Sequence, residues 1–552
     1  MKYLFEILFF FIIAYLLGLK FRLLGVLNIN WDEFNFLSIV HQYLRGELQP
    51  TFQTFHAYLF FWLPSFSTNE VEQILVARKM FWIIRVINSL LLYKIARELT
   101  GKKAALYAVI STLAFSYVLR HGETFRYDLV ISTLFLLGLY LLICLPKRTS
   151  FHIAAGTIFL LSLIISMKSV IYLPSLIFAY FYQIRVNRLH LMKTVLVLCI
   201  SFLFLGLYFF LNPIWFNTFE RMILSRFLDF PNFDVVLEQS LKWDWDFWIM
   251  LFCGFTLALW CLLNNKLIER KKVVTILGLF LPLLTISSYR NSWSYFYVSI
   301  VPSAAILSGF VITFLSGYLQ KKQALFTIAL FCLCLPPIIK AQRFYRFNSL
   351  DRIQHQKEVV DVVHTIFKKP TMYFDRSSMI ASFPSAAFFI STYTTAIYRE
   401  KGIPQFKNYI QKKQPKFLIN NSSAYNIASE KQPQTYWRLL PEDFKILQEN
   451  FVQHWGPIWV AGKNFPAGSN NQIDFEIIIP GTYTIISNAP ISIDGKIVEP
   501  GSLILLGIGF HHLKKNSSNV RATIKIGNHL YTPSFNYQGG KIFDGLSFRT
   551  SS

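Results

Sequence analysis

Residues 3–26 read YLFEILFFFIIAYLLGLKFRLLGV and residues 27–33 read LNINWDE, so a nearly unbroken apolar run ends on the acidic pair Asp32-Glu33 behind Trp31. A run of this length meets the ~20 residues a helix needs to cross a bilayer. A carboxylate is costly inside hydrocarbon and cheap at its edge, so a pair held there suits chemistry on a lipid-borne substrate. The same residues also fit a plainer role, in which Asp32 N-caps an amphipathic helix from Glu33 to Arg45 that Gly46 closes. The run reads as a retained span and not a cleaved signal peptide, because no small-residue cleavage site follows and Lys20 and Arg22 interrupt its end.

The rest of the chain repeats the pattern. With 53% hydrophobic, 17% aromatic and only 15% charged residues and a mean hydropathy of +0.41, the composition excludes an ordinary soluble protein. Further apolar runs cover Met80 to Ala96, Ala104 to Leu119, Leu129 to Leu145, Ile153 to Ser166, Val170 to Tyr182, Thr194 to Leu211, Phe247 to Leu263, Val273 to Ser288, Tyr295 to Leu315 and Ala324 to Ile339. They predict a polytopic α-helical membrane protein of about eleven spans. Lys and Arg concentrate in alternate short loops (Lys102 and Lys103; Arg185, Arg188 and Lys193; Lys266 to Lys272; Lys321 and Lys322), which places the N-terminus in the cytoplasm. The complementary loops, holding Trp31-Asp32-Glu33, His121 to Asp128, Lys168 and Tyr289 to Ser294, then share the outer face.

The expected division is a membrane domain over 1–339 with a large first outer loop, 27–79, followed by a polar outer region. Residues 340–465 alternate apolar strands with helical stretches and predict a small α/β unit. Residues 466–552 are strand and turn, with Pro480-Gly481 and Asp494-Gly495 as hairpin signals, and predict a β-sandwich-like unit. All six cysteines (Cys144, Cys199, Cys253, Cys261, Cys332 and Cys334) fall in expected spans, so the outer region is expected to fold without disulfides, and no zinc-type spacing occurs. The chain carries a net +24, and from Lys340 onward 25 Lys and Arg stand against 14 Asp and Glu, a net +11. That balance attracts anionic headgroups or an anionic glycolipid and equally serves as ordinary solubility charge.

A second ionic cluster, His121-Gly122-Glu123-Thr124-Phe125-Arg126-Tyr127-Asp128, sits in one short outer turn. A solvated hairpin with Arg126 and Asp128 paired accounts for it locally. Asp128, however, opens a span at a depth that favours a wet cavity. Arg78, Arg85, Lys168 and Arg290 collect at outer ends of spans, with Tyr289, Tyr295 and Tyr297 beside the last. Singly each fits an interface anchor. Together they fit a phosphate site, since Arg binds phosphate oxygens in a fork and Tyr adds a donor.

In this order the motifs resemble the C-type glycosyltransferases, specifically the protein O-mannosyltransferase and lipid A aminoarabinose transferase group. Trp31-Asp32-Glu33 is similar to the group's aspartate motif in the first loop. His56-Ala57-Tyr58-Leu59-Phe60-Phe61-Trp62 resembles a basic residue, two prolines, Leu and aromatics, with both prolines absent here. Val76-Ala77-Arg78, Ala96 to Gly101, Arg126-Tyr127-Asp128, Met167-Lys168-Ser169 and Arg290 through Tyr297 to Pro302 follow in sequence, so the resemblance spans most of Met1 to Ile339.

The resemblance implies an inverting transfer of one sugar from a polyprenyl (undecaprenyl) monophosphate donor to a glycolipid, glycan or protein acceptor outside the bacterial inner membrane. It implies Asp32 as general base, Glu33 as its support or as a helix cap, and Asp128 positioning hydroxyls with Arg126 and Glu123 supporting. Arg290, Lys168, Arg78, His56, Tyr295 and Tyr297 would hold the leaving phosphate, with membrane lipids as surroundings and no cofactor, metal or nucleic acid called for. A polyprenyl-lipid flippase or transporter, or a non-catalytic membrane scaffold, is the alternative. A transporter is expected to carry midplane charges or repeated, broken helices, and here the charges gather at one face.

Overall fold

The computed structural model describes residues 2–48, 54–146, 148–183, 203, 206, 233–264, 269–289, 292–319, 321–348, 353–429, 438–539 and 542–543. Apart from 203 and 206, the expected span Thr194 to Leu211, with Cys199, lies outside them, as does Arg290.

The first apolar run forms α1 (Lys2–Leu23), and α2 (Trp31–Leu44) starts after a short loop. The cap of α2 is Asn30, not Asp32: the Asn30 Oδ1 accepts from the Asp32 backbone N–H at 2.9 Å, and Glu33 reaches back to the Asn30 N–H at 3.0 Å. This is a capping box, and it leaves the Asp32 carboxylate available for other partners. After α3 (Phe55–Phe60), α4 (Glu70–Thr100) runs for 31 residues. That is ~46 Å of helix, so its first turns project past the apolar segment and carry Glu70 and Arg78 beyond it.

The run expected as one span over Ala104 to Leu119 is two helices, α5 (Lys102–Leu113) and α6 (Ser116–His121). The break is held from outside: Asp244 accepts the Ser116 backbone N–H at 2.8 Å and also binds its hydroxyl, and Lys340 bridges Asp244 and Asp246 at 2.8 Å each. Then come α7 (Tyr127–Ile143), α8 (Thr149–Ile165), a 3-10 turn Met167–Tyr172 and α9 (Leu173–Gln183). The remaining helices of this layer are α10 (Phe233–Trp243), α11 (Trp245–Asn264), α12 (Arg270–Leu284), α13 (Tyr297–Tyr318) and α14 (Gln323–Asn348). By length and apolarity alone, three candidate spans occur among the described residues: Trp245–Asn264, Ser294–Tyr318 and the run beginning at Gln323. Large side chains such as Phe10, Phe11, Phe252 and Leu263 point outward from the bundle, as lipid-facing residues do.

α13 packs between α5 and α11 at close range. A Cβ built on Gly309 would stand 2.6 Å from the Ala104 carbonyl oxygen, and one on Gly254 2.0 Å from that of Leu307. Backbone atoms cannot swing away, so Gly254→Ala and Gly309→Ala are each expected to cost about 1–3 kcal/mol and lower the melting temperature in detergent. Gly18→Ala, with nothing within 4 Å of its built Cβ, is the control and should not.

Beyond α14 the chain builds α15 (Ile353–Ile366), α16 (Thr392–Lys401), α17 (Phe406–Lys413) and α18 (Pro441–Asn450) around strands. β1 (Tyr373–Phe374) and β2 (Phe417–Ile419) pair in parallel. β3 (Phe451–Trp455) and β4 (Ile458–Phe465) follow, then β5 (Gln472–Ile477), β6 (Gly481–Ser487), β7 (Ile491–Ile493), β8 (Lys496–Val498), β9 (Leu503–Leu506), β10 (Gly509–Lys515) and β11 (Ala522–Ile526). One sheet runs β1-β2-β4-β11-β6-β9, with β3 on β4, and a second runs β5-β10-β7-β8. β4 pairs with β2 through Val460–Phe417 and with β11 through Phe465–Ala522. The boundary expected at 465/466 therefore lies inside a continuous sheet, and the α/β and β-rich parts share it. The Asp494-Gly495 turn is as its sequence suggests, with φ of 52° and 80° at the two positions and the hairpin β7–β8 around it.

The stretch expected as the first outer loop belongs to this C-terminal unit as much as to the bundle. Phe34, Leu37, Val71 and Ile74 share a core with Val359, Val363, Phe374 and Phe417, each worth ~1.5–3 kcal/mol of burial. Gln356 of α15 makes both backbone bonds of Ile29, at 2.9 Å each. Glu70 accepts from the Ser382 N–H at 3.1 Å and pairs with His364 at 2.9 Å.

That last pair makes the docking pH-dependent. His364 is lifted above its ordinary 6.5: burial lowers it, but the hydrogen bond and charge of Glu70 outweigh burial. Glu70 is held below its ordinary 4.5 by His364 and Ser382 against burial. The imidazolium contribution is complete below pH 6.5 and fades as pH rises through the raised value; the carboxylate contribution is complete above 4.5 and fades as pH falls. The melting-temperature gap between wild type and His364→Gln is expected to be widest between about pH 4.5 and 6.5 and to close toward pH 9. A gap that does not change with pH would sink this account.

Candidate active site

Four ionic side chains form one line where the helical layer meets the C-terminal unit. Asp32 stands in the first turn of α2, and Arg126, extended at φ −145°, precedes α7. Arg126 hydrogen-bonds the Asp32 Oδ2 through Nη1 and the Asp128 Oδ2 through Nε at 3.0 Å. The other Asp128 oxygen accepts from the Lys168 ammonium at 2.9 Å. Lys168 is presented by the 3-10 turn Met167–Tyr172, whose first residues are held by the Ser166 side chain. A carboxylate buried at this level is tolerable only when paired on both oxygens, and Asp128 is.

Tyr295 floors the line. The Arg126 guanidinium carbon lies 3.7 Å from its ring centroid and the Lys168 ammonium 4.9 Å, with the Tyr127 ring 5.3 Å from the same ammonium. The 3-10 turn Ser294–Phe296 that carries Tyr295 is fixed by a 2.9 Å hydrogen bond between the Ser294 hydroxyl and the His121 Nε2. A small pocket with aromatic walls opens beside Arg126, lined among others by Phe36, Phe55, His56, Phe60 and Tyr127. In it His56 contacts the Phe36 carbonyl through Nε2 at 3.0 Å and meets the Phe36 ring edge-on.

Solvent access separates the carboxylates. The Asp32 side chain is 19% exposed, that of Asp128 3% and that of Glu33 fully buried. Asp32 is thus the one of the three open to solvent.

In the architecture just described, the chain aligns with solved structures of similar fold. ArnT from Cupriavidus metallidurans in the apo state gives a TM-score of 0.50 at 13% identity, covering 74% of this chain and 92% of that one. Archaeal oligosaccharyltransferase AglB from Archaeoglobus fulgidus, solved with an inhibitory peptide and a dolichol-phosphate, gives 0.50 at 10%, covering 96% and 98%. The fold is the C-type glycosyltransferase fold. No protein-family model matches the sequence, and no curated protein does so significantly.

Within this fold, the site differs from the sequence expectation at several residues. Arg78, expected at the phosphate, is turned to other partners: its Nε and Nη2 hold Glu33 at 2.9 and 2.6 Å, and its remaining N–H groups go to the carbonyls of Leu24, Leu27 and Asn28. Its five donors are therefore engaged. Glu33, expected in the catalytic group, is the buried counter-ion; besides Arg78 it accepts from the Phe125 N–H at 2.8 Å. Glu123 does not support Arg126. It is tied to Lys20 at 2.9 Å and Arg85 at 3.2 Å in a separate buried cluster. Tyr297 is buried against Phe115 and Tyr117, apart from the ionic line.

Three contributors had no assigned place in the sequence reading. Tyr127 and His121 were visible as members of the ionic turn. Arg376, from the loop after β1, was not. Its guanidinium lies 3.8 Å from the centroid of the Trp31 ring, and burial, opposed by the charge of Asp32, pushes it down to about 10. Phe543 meets the same Trp31 ring edge-on at 6.1 Å. Among the described residues there is no group of three or more His, Cys, Asp and Glu placed to hold a metal ion.

Proposed function

We propose that this chain is an integral-membrane glycosyltransferase that moves one sugar from a polyprenyl monophosphate carrier to an acceptor on the extracytoplasmic face, with inversion at the anomeric carbon. The observation that carries this reading is the line Asp32–Arg126–Asp128–Lys168 at the junction of an apolar bundle and a polar unit. There a carboxylate open to solvent and cations suited to a phosphate stand side by side. AglB was solved with a dolichol-phosphate and a peptide, which supports a lipid phosphate on the donor side and a separate acceptor.

In this reading Asp32 removes the proton from the acceptor hydroxyl as that oxygen bonds to the anomeric carbon. The bond from that carbon to the phosphate oxygen breaks on the opposite side, and the phosphate leaves with the electron pair. Lys168, Arg126, Tyr295 and His56 form the electrostatic surround for the developing charge. The topology completes the proposal: N-terminus in the cytoplasm, and the C-terminal unit in the periplasm of a bacterial inner membrane.

The test is transfer of label from a panel of radiolabelled undecaprenyl-phosphate sugars to a membrane extract. Label that moves only with active protein supports the reading and identifies sugar and acceptor class together. No movement from any donor favours the transporter or scaffold alternative.

A further inference from the structure

The C-terminal unit reaches into the site through a rigid turn. Asp375, at the end of β1, is buried and accepts from the backbone N–H groups of Ser378 and Met379 at 2.8 and 2.7 Å, and Asn421 donates to it at 3.0 Å. Ser378 is held at φ +56°, a conformation non-glycine residues avoid and which surrounding structure must impose. Between these anchors stands Arg376. Its backbone N–H is bound by the Asn421 side chain at 2.9 Å and its Nε by the Ile390 carbonyl at 3.3 Å. The turn sets the guanidinium over Trp31, the residue before Asp32.

The placement changes the charge of the site. Within the helical layer, Asp32 and Asp128 are balanced by Arg126 and Lys168. Arg376 brings a further cation to the Asp32 end of this line, in a niche of low exposure where charge is felt strongly. A guanidinium is the side chain that matches phosphate oxygens in a fork and stacks on an aromatic face at the same time.

We propose that Arg376 is a phosphate-binding residue of the active site, supplied by the C-terminal unit, with Trp31 as its platform. The ligand is a phosphate ester, borne by the lipid carrier or by the acceptor. The identity of that ester rests on the glycosyltransferase reading; the role of Arg376 does not.

The full chain in detergent micelles is titrated calorimetrically with undecaprenyl phosphate, with undecaprenol and with a soluble hexose phosphate. Arg376→Gln is expected to raise the Kd for undecaprenyl phosphate by about tenfold, the loss of one charge-assisted contact, while undecaprenol binds as before. Arg376→Lys is expected to fall between the two proteins. A loss confined to the hexose phosphate keeps the proposal and assigns the anion to the acceptor. Wild type binding hexose phosphate, but no polyprenyl phosphate, leaves Arg376 in place and removes the lipid donor. Unchanged affinities in Arg376→Gln, an equal loss for undecaprenol, or no phosphate binding by wild type overturns the proposal. Should the Gln variant not fold, Arg376→Lys decides: weaker phosphate binding with undecaprenol unchanged supports it, and three unchanged affinities reject it.

Discussion

Asp32→Asn is expected to reduce sugar transfer by about 10²–10⁴-fold, the contribution of a positioned general base, with no loss of fold. The substitution is isosteric, and the amide oxygen still accepts from Arg126. The α2 cap is untouched, because Asn30 and Glu33 make it. Donor binding should persist, so the loss should lie in turnover and not in KM. The check is label transfer by both proteins at matched melting temperature; wild-type turnover in Asp32→Asn would remove Asp32 as the base. Asp128→Asn should behave differently. It leaves Arg126 and Lys168 facing a neutral amide within a buried line, so it should lower stability as well as activity.

Arg78→Met is expected to be the most destabilising single change near the site, by about 3–5 kcal/mol. It strands the Glu33 carboxylate, 0% exposed, and orphans the carbonyls of Leu24, Leu27 and Asn28 that shape the α1–α2 connection. The double variant Arg78→Met/Glu33→Gln should be more stable than Arg78→Met alone, since a neutral amide can still accept the Phe125 N–H. Thermal unfolding of the four proteins of this cycle gives the coupling directly. A double variant no more stable than Arg78→Met would show that the buried charge is not the source of the cost. Because Asp32 is the neighbour of Glu33, the folded fraction of Arg78→Met should also turn over more slowly.

Much of this was present in local sequence. The apolar runs announce most of the described helices of the bundle, and the Asp494-Gly495 hairpin appears where its residues predict it. The capping box was also legible, as Asn30 followed three residues later by Glu33, whereas the plainer role considered for the acidic pair put Asp32 at the cap. The break between α5 and α6 was not legible: nothing in Ala104 to Leu119 signals it, because the groups that hold it are Asp244 and Lys340. The continuous sheet was hidden for a similar reason, since β4 pairs with strands from both sides of the expected boundary.

Hydropathy is a sum over contiguous residues, so the chain alone determined that it carries long apolar runs of bilayer-spanning length, that acidic residues gather near the ends of several of them, and that a polar region follows. Ion pairing is a choice among side chains of equal chemistry. Arg78, Arg85, Arg126 and Lys168 all stand near the same expected level, and only the packing of helices decided which carboxylate each one meets. It joined Glu33 to Arg78 across 45 positions, Asp32 to Arg126 across 94 and Asp128 to Lys168 across 40. The same packing brought Arg376 onto Trp31 from a strand end with no motif of its own. A guanidinium desolvated among fixed partners is set by three-dimensional distance, which no local pattern in the chain encodes.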